Sequence, residues 1–321
     1  MHHYKLHPLK LSYTTAHMLW GGSRLIDEWG KTSEIRPLAE TYELSVRDDG
    51  HMSFIENGDS AGLSLKEYIE KIGNSAVSDT YDGGRFPLLI KFIDACDKLS
   101  VQVHPDDIYA RDVENDSGKT EVWYIIDAEP GAKIVYGLRE GITREDFADA
   151  VKNDGLDSVM NYVEVKPGES YFVPSGMLHA IGKGILIAEI QQNSDLTYRV
   201  YDYGRLGVDG KPRELHVEKA LDVVRPFALS EIREIQYSGN EPVDGCFADS
   251  KYFKAYHINE KKDLVASPRS FHCLLALSDG CIIVCGGKKY AMSKGECWFI
   301  PAGLGEYSLE GSSVDVLLSS L

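Results

Sequence analysis

Apolar residues along this chain come mostly in short runs rich in Val, Ile, Tyr and Phe, closed by Gly, Pro, Asp or Asn, a pattern that predicts strands. The runs include EVWYIIDA (121–128), AKIVYGL (132–138), SYFVPSG (170–176), ILIAEIQQ (185–192), FHCLLALS (271–278) and VDVLLSSL (314–321). Helices form a minority. SLKE at Ser64 places Glu67 where it closes a capping box, predicting a helix over 64–73. TRED at Thr143 opens a second, carried through FADAVKNDG and LDSVMNY to about residue 160. A third is expected in RELHVEKALDVV (213–224), with Leu215, Ala220, Leu221 and Val224 forming its apolar stripe.

One stretch occurs twice. GESYFVPSGMLHAIGKG (168–184) and GECWFIPAGLGEYSLEG (295–311) align without gaps over Gly168/Gly295, Phe172/Phe299, Pro174/Pro301, Gly176/Gly303 and Gly184/Gly311. Each copy follows an apolar strand pair, so the chain reads as two versions of one β unit. The spacing Gly-x5-Pro-x-Gly-x2-His is similar to the second signature motif of the cupins, small jelly-roll barrels. The expected fold is therefore mainly β: two cupin-type barrels with a few inserted helices. The expected units are a metal-binding one over 1–225, a connecting segment over 226–244 and a second barrel over 245–321. Where the first copy has His179 the second has Glu306, so the second barrel is expected to bind no metal.

Composition narrows the partners. The 321 residues carry 34 basic and 50 acidic side chains, a formal charge of −16, which argues against nucleic acid or an anionic membrane as a partner. A small anion would need a local cluster of cations or a metal. The first twenty residues do not read as a leader and no stretch reads as a membrane span, so a cytoplasmic monomer or weak homo-oligomer is expected. The six cysteines include no CxxC pair and are expected as buried thiols, and His2–His3 as a solvated terminus.

His179 needs partners if it is to hold a metal. In LSVQVHPDD (99–107), alternation puts Ser100, Gln102 and His104 on one strand face and Val101 and Val103 on the other. Glu121 opens the next strand and is expected to face the barrel interior. Gln102, His104, Glu121 and His179 make a nitrogen and oxygen set suited to one Zn²⁺ or another divalent first-row ion. Singly, each has a plain alternative: a turn histidine, a hydrogen-bonding glutamine or a strand-end charge. Shared alternation is what favours the set. Beyond His179, the polar stretch from Glu189 to Arg205 resembles a sugar-binding rim, with Tyr198, Arg199, Tyr201 and Asp202 among its members. Lys91, Lys119, Lys183 and Arg199 supply positive charge nearby, which suits a phosphorylated substrate; Lys183 alone reads as an ordinary surface lysine.

Taken together, WGGSRL (20–25), ETYELS (40–45), RFPLLIKFIDACDKLSVQVHPDD (85–107), GKTEVWYII (118–126), VPSGMLHAIGKG (173–184), QQNSDLTYRVYDYGR (191–205) and RELHVEKAL (213–221) resemble the type I phosphomannose isomerases of the short bacterial form. The resemblance implies zinc on Gln102, His104, Glu121 and His179. It also implies catalytic roles for Arg199 and Lys119, and substrate binding at Lys91 and Ser100. The implied reaction interconverts mannose 6-phosphate and fructose 6-phosphate through a cis-enediol. Tyr42 and Tyr203 stand where tryptophans are expected for the family. A metal- and sugar-phosphate-binding cupin without turnover, or an isomerase of a related sugar, are the alternatives.

Overall fold

Strand alternation sorts the chain into layers. The computed structural model describes residues 5–207 and 210–321, so His2–His3 lies outside the described residues. Four antiparallel sheets stack in pairs. A five-stranded sheet has the order Tyr198–Tyr201, Val101–Val103, His179–Ala180, Lys133–Leu138, Met160–Glu164. A six-stranded sheet lies against it in the order Thr14–Ala16, Glu40–Leu44, Leu88–Ala95, Ile185–Gln192, Glu121–Ala128, Ser170–Val173. The C-terminal half repeats the scheme with a six-stranded and a four-stranded sheet, and Leu9–Leu11 crosses over to pair with Cys297–Ile300. The molecule is thus mainly β, as expected, and no described helix is long and apolar enough to cross a membrane.

Three apolar clusters hold the layers. The largest lies between the two six-stranded sheets and joins Ile90, Phe92, Val122 and Tyr124 to Leu9, Phe253, Phe271, Cys273 and Phe299. Each such side chain, fully buried, contributes roughly 1.5–3 kcal/mol. A second cluster fills the C-terminal pair with Leu274, Ile283, Trp298, Ile300 and Leu309. The third covers the outer face of the five-stranded sheet, where Val101, Val103, Leu178, Ala180, Tyr198 and Val200 meet Phe147 and Ala220 from two helices. That last cluster sets up the site. With the odd-even partners of those residues turned the other way, Gln102, His179 and Arg199 face the six-stranded sheet.

The helices differ in part from expectation. Leu65–Ile72 forms as read, with the Ser64–Glu67 capping box in place. The second helix, also boxed by Thr143 and Asp146, stops at Lys152. Asp154 takes φ of +53°, only one 3₁₀ turn follows at Leu156–Ser158, and Met160–Glu164 is a strand paired with Lys133–Leu138. The expected continuation to residue 160 is thereby corrected: hydrogen bonding to a neighbouring strand wins over a weak helical period. The third helix spans only Val217–Val223, and Leu215 is 46% exposed instead of lying on its apolar stripe. The backbone of Glu214 and His216 is instead hydrogen-bonded to Arg199. Within 226–244, read as a plain connector, Leu229–Gln236 is helical and buries Ile232 against the main core. WGGSRL serves as a brace: Asp94 accepts hydrogen bonds from Arg24 N and Nε at 2.9 and 2.8 Å, and a Cβ on Gly22 would lie 2.1 Å from the Asp94 carboxylate.

Candidate metal and substrate site

Two side-chain rows face each other between the N-terminal sheets. On the five-stranded sheet the register sets Arg199 opposite Gln102, Gln102 opposite His179, and His179 opposite Tyr136. On the six-stranded sheet it sets Tyr42, Lys91, Glu189, Trp123 and Tyr171 side by side, with Gln191 beside Glu121 one step along. Neighbouring side chains in such rows are close enough to interact directly.

His104, Glu121 and His179 meet between the rows, all three buried, each offering a ligand atom within 4.8 Å of the others. His104 Nδ1 lies 2.7 Å from the Leu196 carbonyl oxygen, and His179 Nδ1 lies 2.8 Å from that of Met177. A ring nitrogen facing a carbonyl must carry the proton, so each Nε2 is left as a lone pair aimed at Glu121. The Nε2 atoms stand 3.6 and 3.5 Å from the two Glu121 oxygens. Burial lowers the pKa of both imidazoles, that of His179 to about 3, which keeps them in the neutral form a cation needs. His179 Nε2 and Glu121 Oε1 are buried without any hydrogen-bond partner. Unpartnered polar atoms this deep are costly unless something else satisfies them, so the donor set fits a divalent first-row ion. Gln102 stands beside His179 by register and is the expected amide ligand.

Charged groups extend from this centre in a chain. Lys119 Nζ is 2.7 Å from Glu121 Oε2, 3.3 Å from His104 Nε2 and 3.8 Å from Glu189 Oε1. Burial works to lower the pKa of Lys119, but Glu121 and Glu189 outweigh it and hold the ammonium protonated. This is the reverse of the lowered pKa that a lysine base would need. Glu189 receives the Trp123 indole N–H at 2.9 Å, and burial pushes its carboxyl well up from the usual range. Lys91, 7% exposed, lies 3.2 Å from Glu40 Oε2 and 4.2 Å over the Tyr42 ring. On the facing sheet, Arg199 Nε donates to Ser100 Oγ at 3.2 Å and Nη1 to the Glu214 carbonyl at 2.9 Å.

Register thus sets Gln102 between His179 and Arg199, and His104, Glu121, His179 and Lys119 meet through their side chains. Lys91 and Ser100, expected to share one role, are apart: Lys91 lies in the strand Leu88–Ala95 of the six-stranded sheet and Ser100 just ahead of the strand Val101–Val103 of the facing sheet. Much of the expected rim is structural: Tyr198 turns to the outer core, Asn193 Nδ2 bonds the Phe86 carbonyl, and Asp202 is taken by Arg205 and Arg213. Glu189 is more than the rim residue it was read as. The signal was available in a lone carboxylate inside ILIAEIQQ, a strand buried along nearly its whole length. Lys183 is exposed, as expected.

Residues 9–121 match the family model described as phosphomannose isomerase type I, catalytic domain. The mannose-6-phosphate isomerase ManA of Bacillus subtilis strain 168 is 37% identical over 296 residues, 91% of this chain and 92% of that one. The mannose-6-phosphate isomerase of Streptococcus mutans is 35% identical over 309 residues, 95% of each chain. The crystal structure of the mannose 6-phosphate isomerase from Bacillus subtilis matches with a TM-score of 0.85 and 31% identity, over 98% of this chain and 99% of that one. Whole-length similarity at this level carries one conclusion: the chain belongs to the type I phosphomannose isomerase family.

Proposed function

We propose that this protein is an aldose–ketose isomerase that interconverts mannose 6-phosphate and fructose 6-phosphate through a cis-enediol. It holds one Zn²⁺ per chain on His104, Glu121 and His179, with Gln102 as the fourth ligand. The observation that carries this reading is the pair of buried, unpartnered ligand atoms, Glu121 Oε1 and His179 Nε2, converging beside Lys119 in a member of this family. The ion, when bound, supplies a Lewis acid for negative charge on the sugar oxygens.

The remaining work falls to the chain's own side chains. A carbon-bound proton must move between C2 and C1: the Glu189 carboxylate is the group that takes and returns it, while the Lys119 ammonium beside it, held protonated, supports the charge that develops on the sugar oxygens. Arg199, its guanidinium fixed by Ser100 and Glu214, stabilises the enediolate charge. Ser100 and Lys91 bind the substrate from opposite sides of the cleft, and Arg205 and Arg213, bridged by Asp202, add positive potential on the Ser100 side. Burial lowers the pKa of Arg199, and Arg213 adds to this, which reports how closely these cations crowd. Residues 1–225 form the catalytic unit, 226–244 the connection and 245–321 a unit without metal; the setting is cytoplasmic.

The test is a coupled assay of mannose 6-phosphate conversion by the protein as purified, after chelation, and after Zn²⁺ is restored. Activity should vanish and return. No turnover by the zinc-loaded protein overturns the enzymatic reading, and turnover indifferent to thorough metal removal overturns the metal.

A further inference from the structure

We propose that Glu114, on the outer side of the five-stranded sheet, is a positioning residue that holds Arg199 in its working orientation; this rests on the catalytic role given to Arg199 above. Arg199 sits in an awkward place for a precise job. Its strand, Tyr198–Tyr201, is at the edge of the sheet, and the ladder slips directly after Arg199, where Tyr201 pairs with Val101 in place of Val200. A short edge strand with a bulge fixes its side-chain directions poorly by ladder bonds alone.

Two supports make up the difference, and both lead to one carboxylate. The first is Tyr198, which points outward into the core with Val103, Ala220 and Val224 and donates its hydroxyl to Glu114 Oε1 at 2.8 Å. Holding Tyr198 outward holds its neighbour Arg199 inward, because successive side chains alternate. The second covers the strand's free edge. His216 N donates to the Arg199 carbonyl at 2.7 Å, Arg199 N lies 3.3 Å from His216 Nδ1, and the Glu214 carbonyl takes the guanidinium. His216 is also the N-cap position of the helix Val217–Val223, whose Lys219 donates to the same Glu114 Oε1 at 2.7 Å. Glu114 itself ends the wide helical turn Ala110–Glu114, which Asn115 closes at φ of +53°. One oxygen therefore ties the strand that carries Arg199 and the segment that grips it to a third element, with no contact to the metal ligands.

The experiment is a double-mutant cycle on the zinc-loaded full chain, with Glu114→Ala, Arg199→Lys and the pair together. Glu114→Ala should lower kcat and kcat/KM together by about ten- to a hundredfold, the scale of a misplacement near 1 Å, with zinc content unchanged. In the Arg199→Lys background the same substitution should cost less than about twofold. Glu114→Gln, which keeps an acceptor oxygen for both donors, should restore most of the rate. A loss from Glu114→Ala that is equal in both backgrounds overturns the positioning role, as does full activity of Glu114→Ala. If Glu114→Ala does not fold, Tyr198→Phe, which removes one hydroxyl and keeps the packing, replaces it in the cycle under the same criteria. Full activity in Arg199→Lys alone would remove the role of Arg199 and this inference with it, whereas a crippled Arg199→Lys with additive losses overturns only the positioning.

Discussion

Lys31 is a buried charged residue away from the site, and replacing it with methionine tests how the two halves are joined. Its ammonium reaches the two Glu43 oxygens at 2.6 and 2.7 Å and the Gly295 carbonyl at 2.7 Å, and lies 4.0 Å over the Tyr13 ring. Lys31 and Glu43 side chains are 3% and 1% exposed. Gly295 opens the second copy of the repeated motif, so one lysine links the N-terminal half to the C-terminal one. Lys31→Met keeps most of the apolar stem but strands a buried carboxylate. Neutralising such a carboxyl at pH 7 costs at most about 1.36 × (7 − 4.3) ≈ 3.7 kcal/mol, and the lost bond to Gly295 adds about 1 kcal/mol. A loss near 4 kcal/mol is expected, within the roughly 3–5 kcal/mol found for breaking buried pairs. With about 2.1 cal/mol/K per residue over 321 residues, that is a drop in Tm of about 6 °C. Urea titration of the wild type, Lys31→Met and Lys31→Met/Glu43→Leu measures it, and the double variant should recover most of the loss. A single-variant loss under about 1 kcal/mol, or a double variant no more stable than the single, would refute the argument.

Two further outcomes are expected. His104→Ala should fall by at least about a hundredfold in activity and retain almost no zinc by elemental analysis, while Lys183→Ala, at an exposed position, keeps both; zinc at the wild-type ratio in His104→Ala would remove this ligand from the set. His272, in the C-terminal half, has its pKa lowered by burial from 6.5 to about 4. The unfolded chain therefore takes up this proton first, and stability present above pH 6.5 is lost as pH falls toward 4, by about 2.5 × 1.36 ≈ 3 kcal/mol. His272→Asn should flatten the stability–pH curve by that amount across this window, and parallel curves for the two proteins would contradict it.

The parts of the site that sequence made legible are those fixed by local periodicity. Val101 and Val103 had to face a core, so Gln102 and His104 had to face away from it, and the capping boxes at Ser64 and Thr143 marked real helix starts. What stayed hidden depends on register between distant strands. Glu189 becomes part of the site because Ile185–Gln192 pairs with both the Lys91 and the Trp123 strands, which no local pattern encodes. The short third helix has a similar cause. Residues 213–216 have helical composition, yet their backbone is drawn out to bond Arg199, a demand that arises from outside the segment.

The repeated motif shows how fold and function separate within one pattern. Gly168 and Gly295 take φ of +88° and +83°, and Gly176 and Gly303 take +86° and +77°, so the shared glycines build the same turns in both copies. The copies part at the next step. The residue before His179 is Leu178, a side chain packed in the outer core, whereas the residue before Glu306 is Gly305, at φ of +89°. This left-handed residue, which leucine would resist, shifts the phase of the strand that follows by one position, and a one-residue slip exchanges the faces. Hence His179 points inward, while Glu306 is exposed beside the exposed Val265 and the inward place goes to Tyr307, bonded to His272 at 2.7 Å. A histidine placed at position 306 would lie in solvent. A metal ligand at this place in the motif would therefore need the inward strand phase as well as the imidazole, and Leu178, packed outward, goes with that phase.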